Sequence, residues 1–340
     1  IVKNPISERL NTKDNSPAVV HVSLVPGSDL DISIAAKGAG SENKAVLGML
    51  NPSDNIVDFI LGEIPKMGAG WCPPGVLGIG IGGTADKAMV MAKESLFETI
   101  DIQELKKRGP SNKIESLRVE LYEKINLLGI GAQGLGGLTT VLDVKIKDYP
   151  THAASLPVAI IPNCAANRHI HFKVSGDGPV KLKPPNLEVW PRAEWSPKET
   201  STRVNIDTLQ KKDLGKFKLG QCLLLSGKIL TARDAAHKKL KELADNNQPL
   251  PDGLDLKNRF IYYVGPVDPV GNEVVGPAGP TTSSRMDKYS SLMLEDYEII
   301  GMIGKAERGK EALESIKKNK AIYLIAVGGS AYLISQAIKS

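Results

Sequence analysis

In the second half of the chain, short apolar runs alternate with amphipathic, lysine-rich stretches. QCLLLSGKIL, RFIYYVG, YEIIGMIG and AIYLIAVGG read as strands, and RDAAHKKLKELAD, RMDKYSSLMLED, GKEALESIKKN and SAYLISQAIKS read as the helices that follow them. Strand and helix in turn predict a sheet covered by helices, an α/β domain. The first half is less regular. After a polar, extended opening, AVVHVSL and LDISIAAKG alternate or run apolar as paired strands do, and NIVDFILGEIPKMG predicts a helix stopped by Pro65 and Gly68. Thr84 is the expected N-cap of ADKAMVMAKESLFETI, with Asp86 well placed in its first turn. KIESLRVELYEKINLLG predicts a second helix closed by Gly129, and VLDVKI and LPVAIIPN follow as strands. Between residues 176 and 204 the periodicity fails and Pro179, Pro184, Pro185, Pro191 and Pro197 crowd together. A domain boundary is expected there, dividing residues 1–185 from residues 186–340.

Composition narrows the classes. At 340 residues the chain is long enough for two domains, although one large domain also fits, and its 33 glycines and 22 prolines point to many tight connections. The net charge of +5 is spread over stretches such as HKKLKEL and ESIKKNK, which read as solvated helix faces. No aromatic residues interleave with these lysines, which argues against a nucleic-acid stripe and for small anionic ligands. Three cysteines are too few and too scattered for a disulfide framework, so a reducing compartment is expected. The uncharged run at residues 125–142 has the length of a membrane span. Its five glycines, Asn126, Gln133, Thr139 and Thr140 make it a poor one, and a buried glycine-rich turn joining a helix to a strand is expected instead. No basic-then-apolar leader follows Ile1, so no secretory signal is visible, and the chain is expected to begin inside a longer protein.

Gly78, Gly80 and Gly83 satisfy G-x-G-x-x-G ahead of a helix, the first requirement of a dinucleotide fingerprint. Gly129, Gly131 and Gly134 satisfy it too, and Pro73 and Pro74 cut short the strand that should precede the first match. A turn whose amides approach an anion, or which lets elements pack closely, is the better reading. Cys72 in GWCPPG and Cys164 in PNCAANRH both sit in turn-like settings that suit the thiolate ligands of a cluster, although a lone cysteine is often a small buried hydrophobe. Cys222, inside QCLLLSG, reads as core. His152 lies in a turn where it can serve as an acid–base group, His169 and His171 alternate beside Cys164, and His237 reads as a surface or helix-packing residue. Arg233, Arg285 and Lys305 stand beside turns rather than on lysine-rich faces, with Thr281 and Thr282 just ahead of Arg285. A ligand with two carboxylates calls for such a set, since Arg grips a carboxylate bidentately and Lys supplies a compact charge.

KGAGSENK, CPPGVLGIGIGGTADKA, LGIGAQGLGG, PTHAASLPVAIIPNCAANRHI, SGKILTARDAAHKKL, YYVGPV, GPAGPTTSSRMD and GMIGKA together, in this order over nearly the whole chain, resemble the iron–sulfur class I fumarases and related tartrate dehydratases. The resemblance implies a hydro-lyase that adds water reversibly to fumarate to give malate, with a [4Fe–4S] cluster as cofactor and one iron left open as a Lewis acid. Cys72 and Cys164 match cluster-ligating cysteines. Arg233, Arg285 and Lys305 match substrate-binding positions, Thr281 a hydroxyl at the reacting centre, His152 an active-site histidine, and Gly40 a turn that meets substrate through its backbone. The family's third cluster cysteine, followed by Gln and Asp, has no match and would lie upstream of Ile1, as would a further arginine; a C-terminal segment is also expected beyond Ser340. The implied architecture is an α+β cluster-bearing portion over 1–185 and a swivelling α/β portion over 186–340, in a homodimer that takes a small dicarboxylate and engages neither nucleic acid nor membrane. A cytoplasmic location, or an organelle matrix, is expected. Tartrate dehydration and methylfumarate hydration compete within the enzyme class; an NAD-dependent oxidoreductase and a non-enzymatic anion- or nucleic-acid-binding protein compete from outside it.

Overall fold

The computed structural model describes residues 1–99, 101–166, 168–182, 196, 199–328 and 330–340. The expected boundary at 185/186, with Pro184, Pro185, Pro191 and Pro197, lies outside the described residues. Two compact units are present, Ile1–Ser33 with His171–Asn186 and Ile34–Ile170 with Leu187–Ser340. In the smaller, AVVHVSL forms no strand, contrary to its pattern: Val19 and Leu24 are 85% and 98% exposed. An apolar alternation becomes a strand only where a neighbour pairs its backbone and a face is buried, and no described element covers this one. LDISIAA does form a strand, β1 (Leu30–Ala36), paired with β6 (Arg168–Val174), and Ser33 Oγ meets His171 Nδ1 at 2.9 Å.

The larger unit holds two four-stranded sheets. In the first, β2 (Val46–Leu50), β5 (Leu156–Cys164), β3 (Gly75–Gly82) and β4 (Val141–Tyr149) lie in that order, with only β3 and β4 parallel. Three residues, Asn43, Lys44 and Ala45, lead from α1 (Ala39–Glu42) into β2, and α2 (Ile56–Glu63) and α5 (Lys113–Leu127) cover one face of the sheet, where Ile60, Leu121 and Ile125 pack on Leu77, Ile79, Val144 and Ile160. On the opposite face α3 (Ala85–Ser95) lays Ala88 and Ala92 against Ala159 and Ile161. Beyond it, α4 (Ile102–Arg108) takes its cap from Asp101 and ties its first residue to Asp143, a buried carboxylate held by Arg118 and Lys145.

The glycine run corrects the sequence reading: GVLGIGIG is no turn but a central strand. Leu77, Ile79 and Ile81 point to one face and Gly78 and Gly80 to the other, so the alternation of period two is the strand's own signature. A Cβ at Gly78 or Gly80 would overlap the carbonyls of Ala92 or Ala88, which is how closely α3 presses on the sheet. Close packing, one of the two expected uses, is therefore what these glycines serve. The run at 125–142 joins α5 to β4 as expected, yet it is mostly exposed rather than buried, Leu138 by 92%.

The second sheet is all parallel, in the order β12 (Ile322–Ile325), β11 (Gly301–Gly304), β10 (Phe260–Tyr262), β9 (Leu230–Thr231). Helices α6 (Asp234–Asp245) and α7 (Lys310–Lys318) and the turn of helix at Ser283–Tyr289 pack on one face through Leu240, Met286, Tyr289 and Ile316. The other face meets Val204, Ile206 and α8 (Ala331–Ala337). QCLLLSGKIL splits between two sheets, since only β8 (Leu223–Ser226) pairs with β7 (Thr202–Asn205) while Leu230 and Thr231 belong to β9. Cys222 precedes β8 and is exposed, not core: the strand begins one residue later, and the Cys222 carbonyl accepts from Thr202 N–H. His237 is a helix-packing residue, wholly buried between Tyr263 and Tyr289. No helix is long and apolar enough to cross a membrane among the described residues.

Replacing Gly80 by Ala should cost about 3 kcal/mol, at the upper end for overpacking, because the obstructing atoms are backbone. Urea denaturation of Gly80→Ala against the parent checks this; an unchanged midpoint would refute the close approach.

Candidate active site

The Cys72 thiol is placed by a tight turn rather than by a strand. Gly68 (φ 59°) and Cys72 (φ 63°) are both left-handed, the Cys72 N–H donates to Ala69 O at 3.0 Å, and Trp71, 1% exposed, anchors the turn in the core against Gly75. Register then does the rest. Gly75 pairs with Cys164, so the last residue of β5 arrives beside the turn that carries Cys72. The two thiols act on each other's ionisation. Accepting from Cys72, with the Ala166 N–H at 3.5 Å and the Lys305 and Lys37 charges nearby, lowers Cys164 to about 6, while the hydrogen bond to Cys164 and burial push Cys72 up. Lys37 is itself mostly buried, which pulls its ammonium down, and Glu42 pairs it at 2.9 Å.

Two cations of the expected set, Arg233 and Lys305, lie just past the carboxyl ends of strands of the parallel sheet, where open α/β sheets bind their ligands, and Arg285 lies in the helical turn Ser283–Tyr289. Lys305 follows β11, and its Nζ reaches Cys72 Sγ at 2.5 Å. The residue is only 9% exposed, and a cation so buried requires polar partners close by. Its backbone is pinned on both sides, donating to Thr281 O at 3.2 Å and accepting from Ser283 N at 3.0 Å. Arg285, one turn on from Thr281, donates to the Thr281 hydroxyl and stands 3.7 Å from Asp234. Arg233, the N-cap of α6 after β9, rests its guanidinium against Gly265 after β10. A Cβ on Gly40 would come 3.1 Å from Gly70 O and 3.5 Å from Lys305 Nζ, so Gly40 lets α1 close on the same spot. His152 stands apart: it is exposed, and its Nδ1 accepts from Ala154 N–H at 3.1 Å.

Comparison with known proteins adds a second line. A model of the fumarate hydratase (fumerase) family matches residues 1–173, and one of the fumarase C-terminus matches residues 176–340. The chain belongs to the class I fumarate hydratase family. It is similar to fumarate hydratase 2 of Leishmania major, 34% identical over 96% of this chain and 59% of that protein, and to the anaerobic class I fumarate hydratase of Escherichia coli strain K12, 30% identical over 97% of this chain and 62% of that one. It is also similar to a putative L(+)-tartrate dehydratase subunit alpha of Methanocaldococcus jannaschii, 46% identical over 50% of this chain and 59% of that protein. The chain spans about 60% of the length of these curated relatives.

Around the site this fumarase-family chain has residues that the sequence reading passed over. Gln133 and Gly328 border Cys72. The Glu307 carboxylate accepts from Ala69 N–H at 3.3 Å and lies over Gly68, joining the Lys305 loop to the Cys72 turn. Arg308, with a fully buried side chain, donates to Asp287 at 2.6 Å and Ser290 at 2.8 Å and stacks on Tyr263 and Tyr323. Asp287 also accepts from Gly309 N–H at 2.6 Å, so this pair fastens the Lys305 loop to the helical turn that carries Arg285. Periodicity gives no sign of it, because Arg308 and Asp287 read as ordinary exposed charges. Among the described residues no three His, Cys, Asp or Glu side chains converge as a metal site.

Asp287→Ala should destabilise the protein by about 3 kcal/mol or more, the usual penalty for leaving a buried guanidinium unpaired. Equilibrium denaturation measures it, and a loss under about 1 kcal/mol would refute the role given to the pair.

Proposed function

We propose that the chain carries the cluster-binding and dicarboxylate-binding residues of a hydro-lyase that interconverts fumarate and malate. What supports this most directly is the meeting of two cysteines, Cys72 and Cys164, with a buried ammonium, Lys305, in a chain of the fumarate hydratase family. The two thiols fit two ligand positions of an iron–sulfur cluster: one is already lowered towards the thiolate that iron requires, and an amide N–H faces its sulfur. The described residues supply no third ligand. When bound, such a [4Fe–4S] cluster supplies an open iron that polarises a substrate oxygen.

The chain's own residues then do the rest. Arg285 and Arg233 grip a carboxylate, Arg285 with its planar fork, while Lys305 offers a point charge beside the sulfurs. Fixed by Arg285, Thr281 Oγ accepts from the guanidinium and keeps its own proton to donate to the substrate oxygen. The backbone at Gly40 approaches the ligand where a side chain would not fit. His152 Nδ1 accepts from Ala154, which leaves Nε2 as the protonated nitrogen and a proton donor facing out of its turn. Hydration places the hydroxyl of water on one alkene carbon and a proton on the other, with no net redox change. The working form is a homodimer of the cytoplasm or an organelle matrix.

Dehydration of tartrate is the second reading, supported by the 46% identity to the archaeal protein over half of the chain. Methylfumarate fits the same cation set. Comparing kcat/KM for the three substrates decides, and a tenfold preference for tartrate would replace the first choice.

Cys72→Ser and Cys164→Ser should each lower iron content after anaerobic reconstitution and abolish fumarate hydration, while Cys222→Ser, which is exposed, should leave both intact. Equal losses in all three would contradict the assignment. Arg285→Lys should raise KM for fumarate about tenfold with iron content unchanged, since charge is kept but the bidentate fork is lost; unchanged kinetics would remove Arg285 from the carboxylate clamp.

A further inference from the structure

Gln133 sits in the glycine-rich connection between α5 and β4 with a left-handed backbone, φ 56°, unusual for a residue with a side chain. Two bonds hold it there. Its backbone N–H donates to Pro73 O at 2.7 Å and its side-chain Nε2 to the same oxygen at 3.2 Å, so it grips the residue next to Cys72. A carbonyl only accepts, which fixes the orientation of the carboxamide: Nε2 faces Pro73 and Oε1 faces away. Oε1 is buried and has no hydrogen-bond partner among the described residues, and Gln133 as a whole is 6% exposed. Buried carbonyl oxygens are almost always paired, so this one awaits a donor.

The donor's position is marked by a missing side chain. A Cβ on Gly328, in the loop after β12, would lie 2.9 Å from Gln133 Oε1 and 3.0 Å from Cys72 Sγ. Glycine leaves that point open, and both the orphan oxygen and the sulfur border it. Lys305 directs its ammonium to Cys72. On the hydro-lyase reading, on which this inference rests, the two forms of the substrate differ in one respect that matters here: fumarate as a dianion has acceptors only, whereas malate and the adding water carry an O–H. We propose that Gln133 Oε1 accepts a hydrogen bond from the substrate hydroxyl, making Gln133 a residue that selects the hydrated form.

The test compares malate with succinate, a dicarboxylate of equal length without the hydroxyl, on the iron-loaded full-length protein. Two variants separate acceptor from anchor: Gln133→Met removes both the acceptor and the bond to Pro73, whereas Gln133→Glu keeps the acceptor and loses only that bond. Malate affinity is read from the concentration that half-shifts the cluster's electron paramagnetic resonance signal, and succinate affinity from the concentration that reverses the shift. In Gln133→Met the ratio of malate to succinate affinity should fall about tenfold, the usual worth of such a bond. In Gln133→Glu the added charge weakens both ligands but the ratio should stay at the parent value, and iron content should be unchanged in both variants. Kinetically, Gln133→Met should raise KM for malate and lower kcat for hydration by the same factor while KM for fumarate holds, as the fixed overall equilibrium demands. An unchanged ratio in Gln133→Met, an equal fall in both variants, or loss of iron from both would overturn the proposal and leave Gln133 an anchor of the Cys72 turn. A parent protein that takes up iron and hydrates fumarate while the ratio is unmoved defeats this inference alone; a parent that does neither defeats the hydro-lyase reading beneath it.

Discussion

A lysine ammonium held 2.5 Å from a buried cysteine sulfur is the contact on which the site depends. Neither partner is stable there by itself. A cation nine-tenths buried requires a counter-charge, and a buried thiolate is disfavoured without a cation or hydrogen-bond donors. Cys164, lowered to about 6, answers the first requirement; Lys305, Lys37 and the Ala166 amide answer the second. The contact joins the turn before the first sheet to the loop after a strand of the second, so the chemistry of both halves meets at a single point.

The supports around that contact are of two kinds. Behind Cys72 they are steric: Trp71 in the core, left-handed Gly68 and Cys72, and the double grip of Gln133 on Pro73. Behind Lys305 they are electrostatic: Arg308 and Asp287, stacked under two tyrosines, tie its loop to the helical turn of Arg285, while Tyr323 donates to Ala306 O at 2.7 Å. A parallel sheet brings its loops to one edge by construction, which is why Arg233, Gly265, Lys305 and Gly328 follow four neighbouring strands. In this frame the Glu307 carboxylate bridges from the Lys305 loop to Ala69 of the Cys72 turn.

Glycine serves two different needs here. In β3 the residues at 78 and 80 exist to admit the backbone of α3, and the resemblance to a nucleotide fingerprint is a by-product of the Gly–Ile alternation. At Gly40 and Gly328 the missing side chain keeps space open beside the charged and sulfur groups. The same residue type thus marks dense packing in one place and a vacant approach in the other, and only the atoms opposite it tell which.

By itself the sequence determined the alternation of strands and helices in the second half and the helices at Asp234–Asp245 and Lys113–Leu127, and, through motifs rather than periodicity, it singled out Cys72, Cys164 and Lys305 as candidates. These are local or strongly typed signals: a period of 3.6, an N-cap, a cysteine between a tryptophan and two prolines. It misjudged AVVHVSL, the glycine run and Cys222, because strand pairing and exposure depend on which segment lies alongside, and that partner is distant in the chain. Tertiary structure alone decided that Gln133 would hold Pro73 beside Cys72 with an oxygen unpaired among the described residues, and that Arg308 would be buried on Asp287. A polar side chain carries no mark of its own burial, since burial is conferred by the elements that close over it.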